Sequence, residues 1–139
     1  MRHIEIAREF IGTPFHPHAC IKGVGADCAG LVHHSLVQAG VIRPAQFLKC
    51  RYTSSSNDGE IIEPILFHQP ELNGNKIVQA SEYEIGDILI FNIGGKIRHC
   101  SIVTDQGHIH SAHHQGVVET AIVPTLSNRI ARIYRVIYG

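Results

Sequence analysis

From Gly86 onward the chain reads as apolar stretches cut by tight turns. "IGDILIFNI" gives way to "GGK", "RHCSIV" to "TDQG", "HIHSA" to "HHQG", and "GVVETAI" leads on to "RIARIYRVIYG". Short apolar runs bounded by Gly, Asn and Asp are strand and hairpin signals. A two-residue hairpin at "TDQG" sets Val103 opposite His108 and Ser101 opposite His110. Side chains alternate along a strand, so His99, Ser101, His108 and His110 share one face, while Cys100 points the other way, into the core. His99 and His110 become diagonal neighbours within reach of two imidazoles, and small Ser101 between them leaves room for a helix end to pack there.

Upstream the pattern is helical. "HIEIAREFI" sets Ile4, Ala7, Phe10 and Ile11 on one face over residues 3–11, and Pro14 in "GTPF" stops that helix. A second helix is expected from Cys28 to Gly40, with Asp27 as its N-cap and Leu31, Val32, Leu36 and Ala39 along its apolar face. The Gly23 and Gly25 turn ahead of it leaves space for a substrate to approach. Residues 41–80 carry weaker signals: a short helix within "SSSNDGEIIEPILF" disturbed by Pro64, then a loop at "QPELNGN". Helices first and antiparallel strands after them predict an α+β fold, one domain over residues 1–139.

The chemistry concentrates at "KGVGADCAGLV". A cysteine in the first turn of a helix meets backbone N–H groups with no intrahelical partner, which favour thiolate over thiol and can hold an oxyanion. With one histidine as base and the other orienting it, Cys28, His99 and His110 have the order of a nucleophile, its base and the base's support. The plainer reading makes Cys28 a small core hydrophobe.

Composition narrows the partners. Lys+Arg and Asp+Glu both number 12, for a net charge of zero, which argues against nucleic acid or a membrane surface. Neither a signal-peptide pattern nor an apolar run long enough to span a bilayer is seen, so synthesis in the cytoplasm is expected. The four cysteines, Cys20, Cys28, Cys50 and Cys100, lack a C-x-x-C pair and read as free thiols, with no metal or other cofactor expected. The 11 histidines would turn the protein cationic below about pH 6.5. Of these, His34, His113 and His114 are expected at the surface, as are Arg129, Arg132 and Arg135.

The pieces "GTPF", "DCAGLV", "IGDILIF", "HCSIV" and "IHSA…GVV" run in one order across nearly the whole chain. That order resembles the NlpC-type cell-wall peptidases, a stripped-down papain-like family. "IGTPFHPHACIKGVGADCAGLV" looks most like the family's phage-tail branch. The resemblance implies a papain-like NlpC fold, N-terminal helices packed on an antiparallel β-sheet meander. It places the catalytic cysteine on Cys28, the base on His99 and the third polar residue on His110. Phe15 stands where many members carry a Tyr directed at the nucleophile or substrate, and Cys100 and Ser101 stand where the strand often reads Val-Gly. Phe15, His18, Asp27 and Ser101 are the residues expected at the substrate. The implied reaction is hydrolysis of peptidoglycan stem peptides at a γ-D-glutamyl–diamino acid bond through a thioacyl enzyme, with no cofactor. Phage-tail proteins are the implied partners, and a tail-like particle acting in the periplasm or cell wall the implied setting. Three rivals stand beside it: a zinc protein using Cys28, His99, His110 and His18, a tail module that kept the fold and lost the activity, and a thiol acyltransferase or amidase of the same fold.

Overall fold

In the computed structural model, which describes residues 1–45, 63, 64 and 66–139, two helices lie on one face of a six-stranded antiparallel sheet. Helix α1 spans Arg2–Arg8 and continues as turns to Gly12, where a φ of 92° ends it ahead of Pro14. A two-stranded hairpin, β1 (Cys20–Ile21) and β2 (Gly25–Ala26), precedes α2 (Cys28–Gln38). The sheet comprises β3 (Lys76–Ala80), β4 (Ile88–Ile93), β5 (Lys96–Thr104), β6 (Gly107–Ala112), β7 (Gly116–Thr120) and β8 (Ile130–Ile137), in the order β3-β8-β4-β5-β6-β7.

Strands β4 to β7 form the expected meander, and the Thr104–Gly107 turn sets Val103 opposite His108. Strand β8 does not extend it. After a helical turn at Pro124–Ser127 it returns to pair with the free side of β4 and receives β3 on its far edge. Strand β3 falls in a stretch with no clear strand signal: Lys76, Gln79 and the exposed Val78 suit a solvated edge. The helix expected in "SSSNDGEIIEPILF" lies mostly outside the described residues; Glu63, Pro64, Leu66 and Phe67 are helical.

The sheet separates two apolar clusters. Ile4, Ala7, Phe10, Leu31, Val32 and Leu36 from the helices meet Ile88, Ile90, Cys100, Ile102, Ile109, Val117 and Tyr134 on one face. The opposite face buries Leu89, Phe91, Val103 and Ile133 under Ile122 and Leu126. Burying a side chain of the Leu31 or Phe91 class contributes about 1.5–3 kcal/mol. Polar seams tie the rim: buried His3 is held between the Tyr138 hydroxyl (2.6 Å from Nδ1) and the Gly86 carbonyl (2.8 Å from Nε2). Two arginines expected to be solvated are instead anchored, Arg132 on buried Glu63 and Arg135 on buried Asp87.

Candidate active site

Asp27 organises the approach to α2. Its extended backbone (φ −98°, ψ 176°) caps the helix, and its Oδ1 accepts the Gly30 N–H at 2.7 Å. The other carboxylate oxygen accepts the His18 N–H at 2.8 Å, and the Asp27 N–H donates to the Ala19 carbonyl. Loop and helix start are therefore clamped together, which demands a glycine at position 30: a Cβ there would lie 2.6 Å from the Ala19 oxygen and 2.8 Å from Asp27 Oδ1. Gly23 turns the hairpin with a φ of 78°, but Gly25 is buried, and a Cβ on it would lie 2.6 Å from His16 Cβ. The Gly25 gap serves packing within the loop, not the approach of a substrate.

This clamp holds Cys28, half-buried at the first helical position, against β5. Two consecutive residues of that strand, the Cys100 thiol and the His99 imidazole, act on its ionisation and favour the thiolate. Neighbours on a strand point to opposite faces. A register slip between Phe91 and Asn92 lies directly across from His99, and such bulges re-aim side chains by local twist. His99 Nε2 lies 2.7 Å from His110 Nδ1, the rings meeting edge-on at 75°. His110 in turn stacks on His108 (centroids 4.2 Å, 21°), and His108 Nδ1 is 2.8 Å from Ser101 Oγ. Phe91 underlies the cluster, 5.7 Å from His99 and 6.1 Å from His108.

Electrostatics distinguish the three described cysteines. The Cys28 thiol is pushed well down, by the Cys100 hydrogen bond first and by bonding and charge from His99, against the opposing cost of burial. Cys20 is pushed up to about 12 by burial and the Asp27 charge. Cys100 is raised well above the usual thiol range by its bond to Cys28 and by burial. Burial, with His99 and His108 adding to it, takes His110 down to about 3, and burial with His99 takes His108 to about 4. Neutral His110 can accept at Nδ1 the proton that His99 Nε2 donates, leaving the other His99 nitrogen for Cys28.

The expected surroundings are met unevenly. Phe15 is half-buried with its ring 4.7 Å from exposed His113 across the loop, and His18 is exposed with a φ of 58°. Asp27 is buried with both carboxylate oxygens engaged by backbone. Ser101 does not open the site to a helix end. It is fully buried beneath His108, on the sheet face opposite the helical core, so its hydroxyl is shut off from any substrate in this arrangement. His108, readable as a strand-end residue, is 1% exposed. His34, expected to be solvated, packs on Phe10 at 4.9 Å. Cys100 is in the core, as its place on the strand predicts, and sequence reasoning missed that it also favours the Cys28 thiolate. Among the described residues no group of three or more His, Cys, Asp or Glu is arranged to hold a metal ion.

Comparison with known proteins bears on the whole assembly. The chain resembles the solved NlpC/p60 domain of the peptidoglycan hydrolase SagA, at 18% identity over 87% of each chain with a TM-score of 0.52, a likeness of fold. No curated protein matches it. A family model described as NlpC/P60 matches residues 12–130, from the turn before Pro14 into β8. That span takes in Cys28, His99 and His110 together with the sheet that joins them, and by it the chain belongs to the NlpC/P60 family of cysteine peptidases and peptidoglycan hydrolases.

Proposed function

We propose that this protein hydrolyses amide bonds in peptidoglycan stem peptides, with Cys28 as nucleophile, His99 as general base and acid, and His110 as the residue that orients His99. The reading is carried by one observation: His99 is hydrogen-bonded at 2.7 Å to a His110 that burial keeps neutral, and the same His99 favours the thiolate of Cys28. The Cys28 thiolate adds to the amide carbonyl, and the oxyanion forms beside the N–H groups of the α2 first turn. As the C–N bond breaks, His99 gives its proton to the leaving amine, and Cys28 is left as a thioester. His99 then takes a proton from water, whose oxygen adds to the thioester carbonyl and releases the carboxylic acid and the thiolate.

The bond proposed is the γ-D-glutamyl–diamino acid linkage, and the setting a phage-tail-like particle acting at the periplasm or cell wall with tail proteins as partners. Both rest on the resemblance of "IGTPFHPHACIKGVGADCAGLV" to the phage-tail branch of the family. Phe15 and His18, on the loop ahead of Cys28, are the residues proposed to meet the peptide. Purified protein incubated with synthetic stem peptides, read by mass spectrometry, tests this. Cleavage between γ-D-glutamate and the diamino acid that disappears in Cys28→Ser supports it. Intact peptides, or cleavage that survives Cys28→Ser, overturn it.

A further inference from the structure

Four aromatic rings around the base close a circuit. His99 meets His110 edge-on (centroids 4.9 Å), His110 stacks on His108 (4.2 Å, 21°), and Phe91 touches both ends, 5.7 Å from His99 and 6.1 Å from His108. The circuit runs inward from half-buried His99 and His110 to fully buried His108 and Phe91. Its two hydrogen bonds repeat one geometry. Strands β5 and β6 pair with Val103 opposite His108, a register that, carried two residues on, sets Ser101 opposite His110. His99–His110 at 2.7 Å and Ser101–His108 at 2.8 Å both run along the diagonal displaced by two residues from that register. Ser101 is fully buried, so its bond to His108 Nδ1 is made away from solvent, where leaving either group unpaired is costly. The proposed hydrolysis uses the outer diagonal and gives the inner one no role.

We infer that His108, fastened by Ser101, is a positioning residue for the catalytic base, setting the ring plane of His110 so that its Nδ1 stays aimed at His99. A hydrogen bond fixes one point of the His110 ring and leaves the ring free to swing about that point. A second ring pressed on its face removes the swing, because turning His110 about its Cβ–Cγ bond drives a ring edge into the His108 ring 4.2 Å away. Such a turn exchanges Nδ1 for a carbon and takes the acceptor from His99. His108 serves as a stop because it is itself held, by Ser101 Oγ at its Nδ1 and by the Phe91 ring edge-on at 71°. Phe91 also underlies His99, so base and stop rest on one buried side chain. Burial takes His108 down to about 4, which sets an uncharged ring against His110 at neutral pH. Ser101 and His108 are both buried, so they act through His110 and not on the substrate. A glycine at position 101, which the family strand often carries, offers His108 no such bond.

The inference rests on the hydrolase reading for its kinetics, and a readout without substrate keeps the two apart. Full-length wild type, His108→Leu, His108→Phe, Ser101→Ala and His110→Ala are compared by stem-peptide kinetics and by ring-nitrogen NMR on protein with isotopically labelled histidine. The His110 Nδ1 signal, assigned by its loss in His110→Ala, reports whether that nitrogen accepts a hydrogen bond. His108→Leu removes both the ring and its bond to Ser101. Its kcat is expected to fall about 3–10-fold with KM unchanged, less than for loss of His110 itself. The His110 Nδ1 signal moves in step toward that of an unbonded nitrogen. His108→Phe restores a ring against His110 and is expected to recover part of the kcat and of the Nδ1 signal. Ser101→Ala keeps the His108 ring but loosens it, so it falls between wild type and His108→Leu, and it carries the test where the leucine variant does not fold. A His110 Nδ1 signal unchanged from wild type in His108→Leu and Ser101→Ala overturns the inference. Equal kcat for the leucine and phenylalanine variants, or a loss that appears in KM, overturns it as well. If the wild type leaves the peptides intact, the hydrolase reading fails, and the Nδ1 signals still decide whether His108 positions His110.

Discussion

His99 and His110 are joined ring to ring, Nε2 to Nδ1 at 2.7 Å, across two neighbouring strands. A histidine supported by another histidine is a different device from one supported by a carboxylate. A carboxylate brings a negative charge that stabilises the imidazolium; a neutral imidazole brings only a lone pair and a fixed direction. Burial keeps His110 neutral by taking it down to about 3, and the His108 ring stacked on it restricts its rotation. The support is therefore geometric first.

Replacing His110 with alanine removes the acceptor while leaving the Cys28–His99 contact in place. Loss of a group that acts through the base is expected to lower kcat by about 10–100-fold, the low end of general acid–base effects, with little change in KM. His110→Asn, whose amide oxygen can take the place of Nδ1, is expected to recover part of that loss. Equal kcat for the alanine and asparagine variants, measured with stem peptides, would show that acceptance at this position is not what matters.

The cysteines give a second prediction that needs no substrate. Iodoacetamide alkylation of Cys28 is expected to reach its plateau at a lower pH than that of an ordinary thiol, since burial is outweighed by the Cys100 and His99 interactions that favour its thiolate. Cys20, pushed up to about 12, is ionised to only about one part in 10⁵ at pH 7 and gains about tenfold in rate per pH unit above that. Both His99→Ala and Cys100→Val are expected to move Cys28 ionisation to higher pH, because each removes a group that favours the thiolate. A Cys28 profile unchanged by both substitutions would separate the nucleophile from its neighbours.

The alternation of His99, Ser101, His108 and His110 was legible because a two-residue turn leaves no freedom in register, and Val103 does face His108. The same rule misplaced the helix. Period-2 reasoning tells which side chains share a face but not which face the helices cover, and α2 packs on the Ile102 and Cys100 side. Ser101 was therefore read as a gap when it is the buried partner of His108. The arginines of β8 were read as solvated for a related reason: their partners Glu63 and Asp87 are distant in sequence and carry no local signal. Cap residues fared best, since Asp27 and Gly30 are only three apart and their bond is local.

Acid stability follows from the buried histidines. Burial lowers His3, His33, His34, His108 and His110 in the folded state. The sign is fixed by linkage: below pH 6.5 the unfolded chain binds protons these sites refuse, so stability is full above about 6.5 and falls as pH drops. His108, at about 4, contributes on the order of 1–3 kcal/mol of this at pH 4 after allowance for its coupling to His99 and His110. The lowered carboxylates Asp105 and Glu119, paired with Arg8, act in the same direction but below about pH 4.5, so the range between 6.5 and 4.5 isolates the histidines. Urea denaturation should show a midpoint that falls through this range in the wild type and falls less in His108→Asn, whose oxygen can still accept from Ser101. Parallel curves for the two proteins would exclude His108 as a source of the acid sensitivity. These five histidines are thus held neutral within the fold, while His16, His18, His113 and His114 stand exposed at the surface.

The clamp at the start of α2 should couple stability to reactivity. Gly30→Ala forces a Cβ into the Ala19 carbonyl and the capping carboxylate, contacts of 2.6 and 2.8 Å to backbone and to an engaged side chain. The strain is relieved only by moving the loop or the helix start, at a cost of about 1–3 kcal/mol typical of overpacking. Asp27→Ala removes the cap, worth about 0.5–2 kcal/mol, and frees the His18 backbone N–H from its acceptor. Asp27→Asn keeps an oxygen for one of the two N–H groups and should fall between. If the clamp seats Cys28 against His99, alkylation at pH 6 should slow in the order wild type, Asp27→Asn, Asp27→Ala, in step with the lost stability. A chain that loses stability but keeps wild-type Cys28 reactivity would mean that β5, through Cys100 and His99, holds the nucleophile without help from its own helix cap.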